Sequence, residues 1–346
     1  MATALDKLVF DTAQTARIGW FAGQKLLARR LSRPVKLPER LRNRQMPASR
    51  RLSADLRQLL ERDWRNVAAG LYAMPEDWRG NPLAELRRAV DFFADLEAVE
   101  QRRHGEGADR ILIDAPSEHY PRYYLQNFHF QSEGYLSAAS AERYDHQVEV
   151  LFGGGAAAMR RQALVPLRDA LMRHCSNGAV AKLLDVGCGT GSFLREVKRN
   201  YPRLRVTGLD LSGPYLGVAA RRLADWSRVE LVEAAAERMP FHNASLDVVT
   251  SVYLFHELPP RIRRAVAAEI QRVLKPNGTF ILVDSLQTGD VPEYDGLLDF
   301  FPIAFHEPYY TSYLRENLED LFSPLLTRQT TALAYLSKVQ AFRSPA

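Results

Sequence analysis

The chain of 346 residues carries only two cysteines, Cys175 and Cys188. Two thiols cannot build a disulfide framework, which excludes the small cross-linked scaffolds and suits a reducing compartment. No run of about 18 apolar residues occurs, so nothing reads as a membrane span. The N-terminus also lacks the compact apolar core and cleavage site of a secretory signal. A cytoplasmic protein is expected, with a peripheral place at a membrane surface as the alternative. No internal repeat or low-complexity segment is evident. One further absence is local: after Gly187 and Gly189, the third glycine of a dinucleotide fingerprint would fall at 192, where the chain has Ser192. A nicotinamide cofactor is therefore disfavoured.

What is present is a glycine-rich turn. Leu183-Leu-Asp-Val-Gly-Cys-Gly-Thr-Gly191 runs from an apolar, strand-like segment into a turn and then a helix. Glycines at 187, 189 and 191 remove the Cβ atoms that would hold the backbone away from a ligand, and the next helix points its free N–H groups at the same spot. Asp185 sits badly beside a pyrophosphate but suits a ligand carrying an ammonium group. Downstream, residues 205–212 read as a second strand ending in Asp210, where doubly wound folds place the acid that takes ribose hydroxyls. Residues 229–241 follow, and 246–258 read as a buried fourth strand. Pro259 and Pro260 open an amphipathic helix that ends at the stop signal Leu274-Lys-Pro-Asn-Gly278, before a fifth strand over 279–284.

Asp185-x-Gly187-x-Gly189-x-Gly191, with the later motifs in order, resembles class I S-adenosylmethionine-dependent methyltransferases over residues 150–286. The style of the core is similar to the ubiquinone and menaquinone branch. The resemblance implies an α/β, doubly wound Rossmann-like sheet, mostly parallel with an antiparallel last strand, and S-adenosyl-L-methionine as cofactor. It places Asp185, Gly187, Cys188, Gly189 and Gly191 at the methionine half, Asp210 and Leu211 at the ribose, Ala236 and Glu237 at the adenine, and the Tyr144 hydroxyl at the carboxylate end. For Cys188 a small packed residue is the plain alternative. The sequence departs from the family at Ala235, where an Asp usually meets the adenine amino group, leaving adenine to backbone groups near Ala236 and to Glu237.

Charge is unevenly spread. Residues 1–60 hold 13 Lys and Arg against 4 Asp and Glu, a net +9 within a total of +5, so the rest of the chain is net −4. Between residues 8 and 31 the basic groups accompany Val9, Phe10, Ile18, Trp20, Phe21, Leu26 and Leu27. Such a segment either lies on an anionic membrane surface or packs against the core. Residues 33–51, with Pro34, Pro38 and Pro47, read as an extended linker. Leu56, Leu59, Leu60, Trp64 and Val67 recur at helical spacing, a break follows over 74–82, and a second amphipathic run covers 83–99. His104-Gly-Glu-Gly107 reads as a flexible junction.

The expected organisation is a basic segment and linker over 1–50, a helical extension over 51–110, an aromatic lid over 111–160, and the methyltransferase domain over 161–346 with an acceptor-site insertion near 287–322. Tyrosines and polar groups over 120–137 form either a lid that excludes water or a helical interface. Two His-Glu pairs occur, His256-Glu257 and His306-Glu307. Neighbours on a strand face opposite ways, so neither pair chelates by itself and no metal is expected. His256 and His306 are the candidate general bases, with structural histidines as the plain alternative. His129, Phe130, Tyr253, Glu257, Glu307 and Tyr309 are the candidate acceptor pocket. The Asn-Pro-Pro-Tyr arrangement of nucleic-acid amino-methyltransferases is absent at the fourth strand, so nucleic acid is disfavoured. The expected activity is methyl transfer to a small apolar or aromatic acceptor, quinone-like or lipid-like. The alternatives are a nucleic-acid or protein methyltransferase using the basic N-terminus, and a non-catalytic partner protein that binds S-adenosylmethionine. Acceptor atom and oligomeric state stay open.

Overall fold

The structure is a computed structural model that describes residues 2–35, 38–77, 80–105, 120–131, 133–174 and 181–346. Cys175, residues 78–79 of the expected break, the end of the 104–107 junction and residues 111–119 of the expected lid lie outside the described residues.

The C-terminal part is built on a seven-stranded sheet: β1 (Lys182–Val186), β2 (Arg205–Asp210), β3 (Val229–Glu233), β4 (Leu246–Val252), β5 (Leu274–Ser285), β6 (Thr327–Ala334) and β7 (Ser337–Arg343). Their order is β3-β2-β1-β4-β5-β7-β6. The first five strands are parallel, and β7 is antiparallel to both β5 and β6. This is the expected doubly wound sheet. Central strands such as β4 are largely buried on both faces because helices cover both sides. The order reverses between β1 and β4, and crevices in such sheets open at the strands' C-terminal ends.

β5 differs from expectation in its start. Leu274-Lys-Pro-Asn-Gly278 reads as a stop before the strand, yet the strand already pairs at Leu274 with Leu246. Asn277 takes a left-handed φ of 59°, which turns the chain inside the strand rather than ending an element ahead of it.

The helices are α1 (Ala4–Leu31), α2 (Glu39–Arg42), α3 (Ser49–Ala68), α4 (Pro82–Arg103), α5 (Ala138–Leu151), α6 (Ala156–Arg161), α7 (Leu164–His174), α8 (Ser192–Asn200), α9 (Gly213–Leu223), α10 (Pro260–Val273), α11 (Asp295–Phe305), α12 (Tyr310–Leu314) and α13 (Leu318–Phe322). α1 starts at a capping box in which Thr3 and Asp6 satisfy each other's backbone N–H groups. One of its faces packs inward: Phe10 lies against Trp64 of α3, Phe21 against His146 of α5, and Arg17 pairs with Glu149 of α5 at 2.8 Å. The opposite face leaves Leu5, Leu8, Val9, Trp20, Leu26, Leu27 and Leu31 exposed. No helix among the described residues is long and apolar enough to cross a membrane.

The segment over 33–51, expected as an extended linker, is not extended throughout its described residues. α2 interrupts it, and Arg44 pairs with Asp299 of α11 at 2.9 Å, so the segment is tied to the core by charge. α3 is fixed to α6 by Arg161, which lies fully buried between Asp63 and Asp77 with 2.6 Å contacts to each.

Candidate functional site

β1 delivers the chain into the glycine turn, where Gly187, Gly189 and Gly191 all take positive φ, at 71°, 53° and 73°. Gly187 and Cys188 donate their N–H groups to the Leu209 carbonyl, and Gly189 N–H donates to Asp210 Oδ2 at 2.8 Å. Ser212 N–H donates to Asp210 Oδ1 at 2.8 Å, so this acid anchors both the turn and the start of α9. A Cβ on Gly191 would meet Ala219 and Leu223 of α9 at 3.1 and 3.2 Å. A Cβ on Gly189 would meet nothing nearer than Tyr215 at 3.9 Å. Gly191 is therefore demanded by helix packing, whereas Gly189 presents open backbone to the cleft.

Asp185 is buried at the floor of this cleft and accepts a 2.7 Å hydrogen bond from the Thr250 hydroxyl. No lysine, arginine or histidine among the described residues is paired with it. Burial pushes its carboxyl up to about 7, against the Thr250 bond that lowers it and with the nearby Asp210 adding to the rise. A buried carboxylate with no cation beside an open backbone fits a ligand with a cationic amino group, which is the methionine end of S-adenosylmethionine.

Around it the cleft is walled by Tyr123, Tyr124, Tyr135, Tyr144, Tyr215 and Tyr253. Leu211, Ala234 and Ala236 line it beyond Asp210, and Cys188 lines it from the turn, its thiol pushed up by burial. Over its described residues the 120–137 segment reaches the wall as turns with one 3-10 turn at Phe128–Phe130. Ser212 Oγ donates to the Tyr135 carbonyl at 2.6 Å and ties that segment over the start of α9. Glu237 accepts the Tyr123 hydroxyl at 2.8 Å and lies outside the lining, while Ala236 faces the cleft.

The far end of the cleft is polar. β4 ends at Val252 and the chain turns through a 3-10 element, Phe255–Glu257. Asp284, at the end of β5, accepts the Phe255 N–H at 2.8 Å and pairs with His256 Nδ1 at 2.6 Å. Burial opposes a charge on His256, but Asp284 outweighs it and holds the imidazole up at about 9. Glu257 lines the cleft, accepts the Tyr135 hydroxyl at 2.6 Å, and is raised to about 7, chiefly by burial. His129 Nε2 lies 3.3 Å from Glu307 Oε1 and 3.9 Å from Glu257 Oε1. Burial keeps His129 neutral, down to about 3, and pushes Glu307 well above the usual carboxylate range.

This geometry revises several expectations. Of the six acceptor-pocket candidates, only Tyr253 and Glu257 line the cleft. His129, Phe130, Glu307 and Tyr309 stand behind them: Phe130 packs on His306, and the Tyr309 hydroxyl donates to the Tyr123 carbonyl. His306 is the left-handed cap of α11 and does not line the cleft. His256 is buried one residue behind the wall. His256-Glu257 sits on a 3-10 turn rather than on a strand, so the opposite-face rule for strand neighbours does not govern it. The cluster that forms draws one residue from each of three segments, His129, Glu257 and Glu307, whose ligand atoms lie within 4.8 Å of one another.

Sequence reasoning missed a clamp at the mouth. Asp145 of α5 accepts the hydroxyls of Thr190 at 2.9 Å and Ser192 at 2.6 Å, and Arg222 of α9 bridges Asp145, Thr190 and Ser192. The pair of hydroxyls inside the glycine turn was the available signal. Asp284 was also missed, although it ends the fifth strand as Asp210 ends the second.

Residues 183–278 match the family model of the methyltransferase domain. Over 105 residues the chain is 37% identical to the demethylmenaquinone methyltransferase of Thermotoga maritima, covering 30% of this chain and 44% of that protein. Over 122 residues it is 32% identical to the fatty-acid O-methyltransferase of Mycolicibacterium smegmatis, covering 35% of this chain and 43% of the relative. The chain thus spans less than half the length of these two curated relatives. The solved N-methyltransferase NodS from Bradyrhizobium japonicum, in complex with S-adenosyl-L-homocysteine, aligns with 53% of this chain and 88% of its own at 18% identity, with a TM-score of 0.39.

Proposed function

Because residues 183–278 form a methyltransferase domain of the class I, S-adenosylmethionine-dependent kind, we propose that the chain transfers a methyl group to a small apolar or aromatic acceptor, quinone-like or lipid-like. The observation that carries this is the cleft itself: a buried, uncompensated Asp185 and the open Gly189 backbone at one end, a wall of tyrosines between, and the polar Glu257 at the other. Relatives named for demethylmenaquinone and fatty-acid substrates support an apolar acceptor.

The bound cofactor supplies an electrophilic methyl on a sulfonium. Asp185 and the glycine turn hold its methionine end, Asp210 its ribose, and backbone near Ala236 its adenine. Tyr144 serves the carboxylate end. The tyrosine wall excludes water and aligns the acceptor, which is where proximity lowers the barrier. Glu257, which lines the cleft with its carboxyl raised to about 7, is the group placed to take the acceptor's proton, whereas His256, held protonated behind the wall by Asp284, and His306, outside the lining, are not. α1 meets an anionic membrane surface through its exposed apolar face, bringing the cleft to lipophilic acceptors.

Calorimetric titration of the purified chain with S-adenosylmethionine and S-adenosylhomocysteine tests the first half. Micromolar binding is expected, weakened about tenfold or more in Asp210→Ala, the size of a lost charged hydrogen bond. No binding to well-folded protein overturns the reading. Turnover with quinone or fatty-acid acceptors then separates an enzyme from a binding protein.

A further inference from the structure

Glu307 and Asp284 are buried behind the tyrosine wall, Glu257 stands half-buried beside them at the cleft, and no lysine or arginine among the described residues is paired with any of the three. Neither oxygen of Glu307, a residue 1% exposed, has a hydrogen-bond partner, and His129 Nε2 lies 3.3 Å from Oε1. Buried charges persist when they are paired or coordinate a metal. Glu307 is aimed at two other classical donors, His129 Nε2 and Glu257 Oε1, with all three within 4.8 Å of one another. Donors each about 2.0–2.2 Å from a shared ion stand about 3–4 Å apart. The observed separations of 3.3 and 3.9 Å match that spacing.

We propose that His129, Glu257 and Glu307 are the protein ligands of a divalent transition-metal cation of the Mn2+, Fe2+ or Zn2+ class, set at the acceptor end of the cleft. Mixed imidazole and carboxylate donors suit this class, whereas all-oxygen sets suit Mg2+ and Ca2+. The surroundings support the ligands as outer partners do in metal centres: Tyr135 donates to Glu257, and Asp284 fixes His256 so that its Nε2 lies 4.0 Å from Glu257 Oε1. Three protein ligands leave positions open, and Glu257 lines the cleft, so the open side faces the acceptor. The acceptor class this selects carries an oxygen that coordinates, as a phenol, an enol or a carboxylate does, and the ion would polarise that oxygen. The inference rests on the methyl-transfer reading for its purpose but is tested without turnover.

The experiment uses the untagged full-length chain, stripped with chelator and then titrated with Mn2+ followed by the spin resonance of the free ion, and with Zn2+ by calorimetry. One ion per chain is expected, with binding weakened about a hundredfold or more in Glu307→Gln, since even outer partners of a metal site are worth about 10–100-fold. S-adenosylmethionine affinity of that variant should stay within about twofold of the parent, because Glu307 is not part of the cofactor cleft. Glu257→Gln is the second variant should Glu307→Gln misfold, and it too must lose the ion. No bound ion in a well-folded chain, or equal binding in both variants, overturns the site. Cofactor binding without the ion sinks this inference alone; ion binding without the cofactor sinks the methyltransferase reading alone.

Discussion

Asp185 shows how one residue can be legible by type and yet carry a property that only burial reveals. Its place before the glycines was readable because the turn is one contiguous run. Its carboxyl, held near 7 by the low-dielectric floor of the cleft, was not. The sign follows directly: below about 7 the group is neutral, above it charged, and a cationic ligand prefers the charged form. S-adenosylmethionine affinity should therefore climb with pH up to about 7, by as much as about tenfold per unit, and level off above. Calorimetry between pH 5.5 and 8.5 checks this, and Asp185→Asn should flatten the profile. A flat profile in the parent chain would refute the role of Asp185. The same limit explains why the His129, Glu257 and Glu307 cluster escaped sequence reasoning. Its members lie on three distant segments, and spacing along a chain reports only neighbours on one element.

The N-terminal helices dock through charge as much as through apolar contact. Helical periodicity made α3 and α4 readable, since Leu56 and Leu59 recur on one face and are buried. What periodicity could not show is that Arg161 lies between Asp63 and Asp77, because a buried arginine has the same letter as an exposed one. Asp63 on α3 also accepts the Tyr72 hydroxyl at 2.6 Å. Asp63→Ala leaves the guanidinium buried with half its compensation and should lower stability by about 3–5 kcal/mol, measured by denaturant unfolding. An unchanged midpoint would mean that Arg161 escapes to solvent. Burial alone would raise Asp77, but Arg161 and Arg17 outweigh it and hold its carboxyl down at about 2. A depressed acid stabilises the fold above its ordinary value of 3.8 and loses that contribution as pH falls through about 2. Acid titration of the unfolding midpoint in Asp77→Asn should therefore lack the part of the parent's decline below pH 4 that this residue supplies.

At the scale of the whole molecule, the parallel part of the sheet was legible because short apolar runs such as Leu183-Leu184 and Val248-Val249 alternate with turn and helix signals, whereas the anchoring of residues 33–51 was not, because proline and arginine alone read as solvated linker. α1 was left open between membrane and core, and its packing on the core is what the structure shows: Phe10 and Phe21 point inward, while Leu5, Leu8, Leu26, Leu27 and Leu31 stay exposed. Arg29 and Arg30, exposed in its last turn, have the charge that anionic lipid would complement. Truncating it would uncover Trp64, so point changes are the cleaner test. Leu8→Glu with Leu27→Glu should abolish sedimentation with phosphatidylserine vesicles at about 0.1 M salt while leaving cofactor binding intact, and binding by the parent chain should weaken as salt rises. Equal sedimentation of both proteins would remove the membrane from the account. Glu149 gives this surface a line to the cleft. One of its oxygens is shared by Arg17 of α1 at 2.8 Å and Arg160, a cleft-lining residue, at 3.2 Å. A carboxylate with two claimants is a balance point: whatever factor lipid contact at α1 imposes on cofactor affinity, the cofactor must return to lipid affinity, so the occupied and empty forms of the chain would partition differently between membrane and water by that same factor.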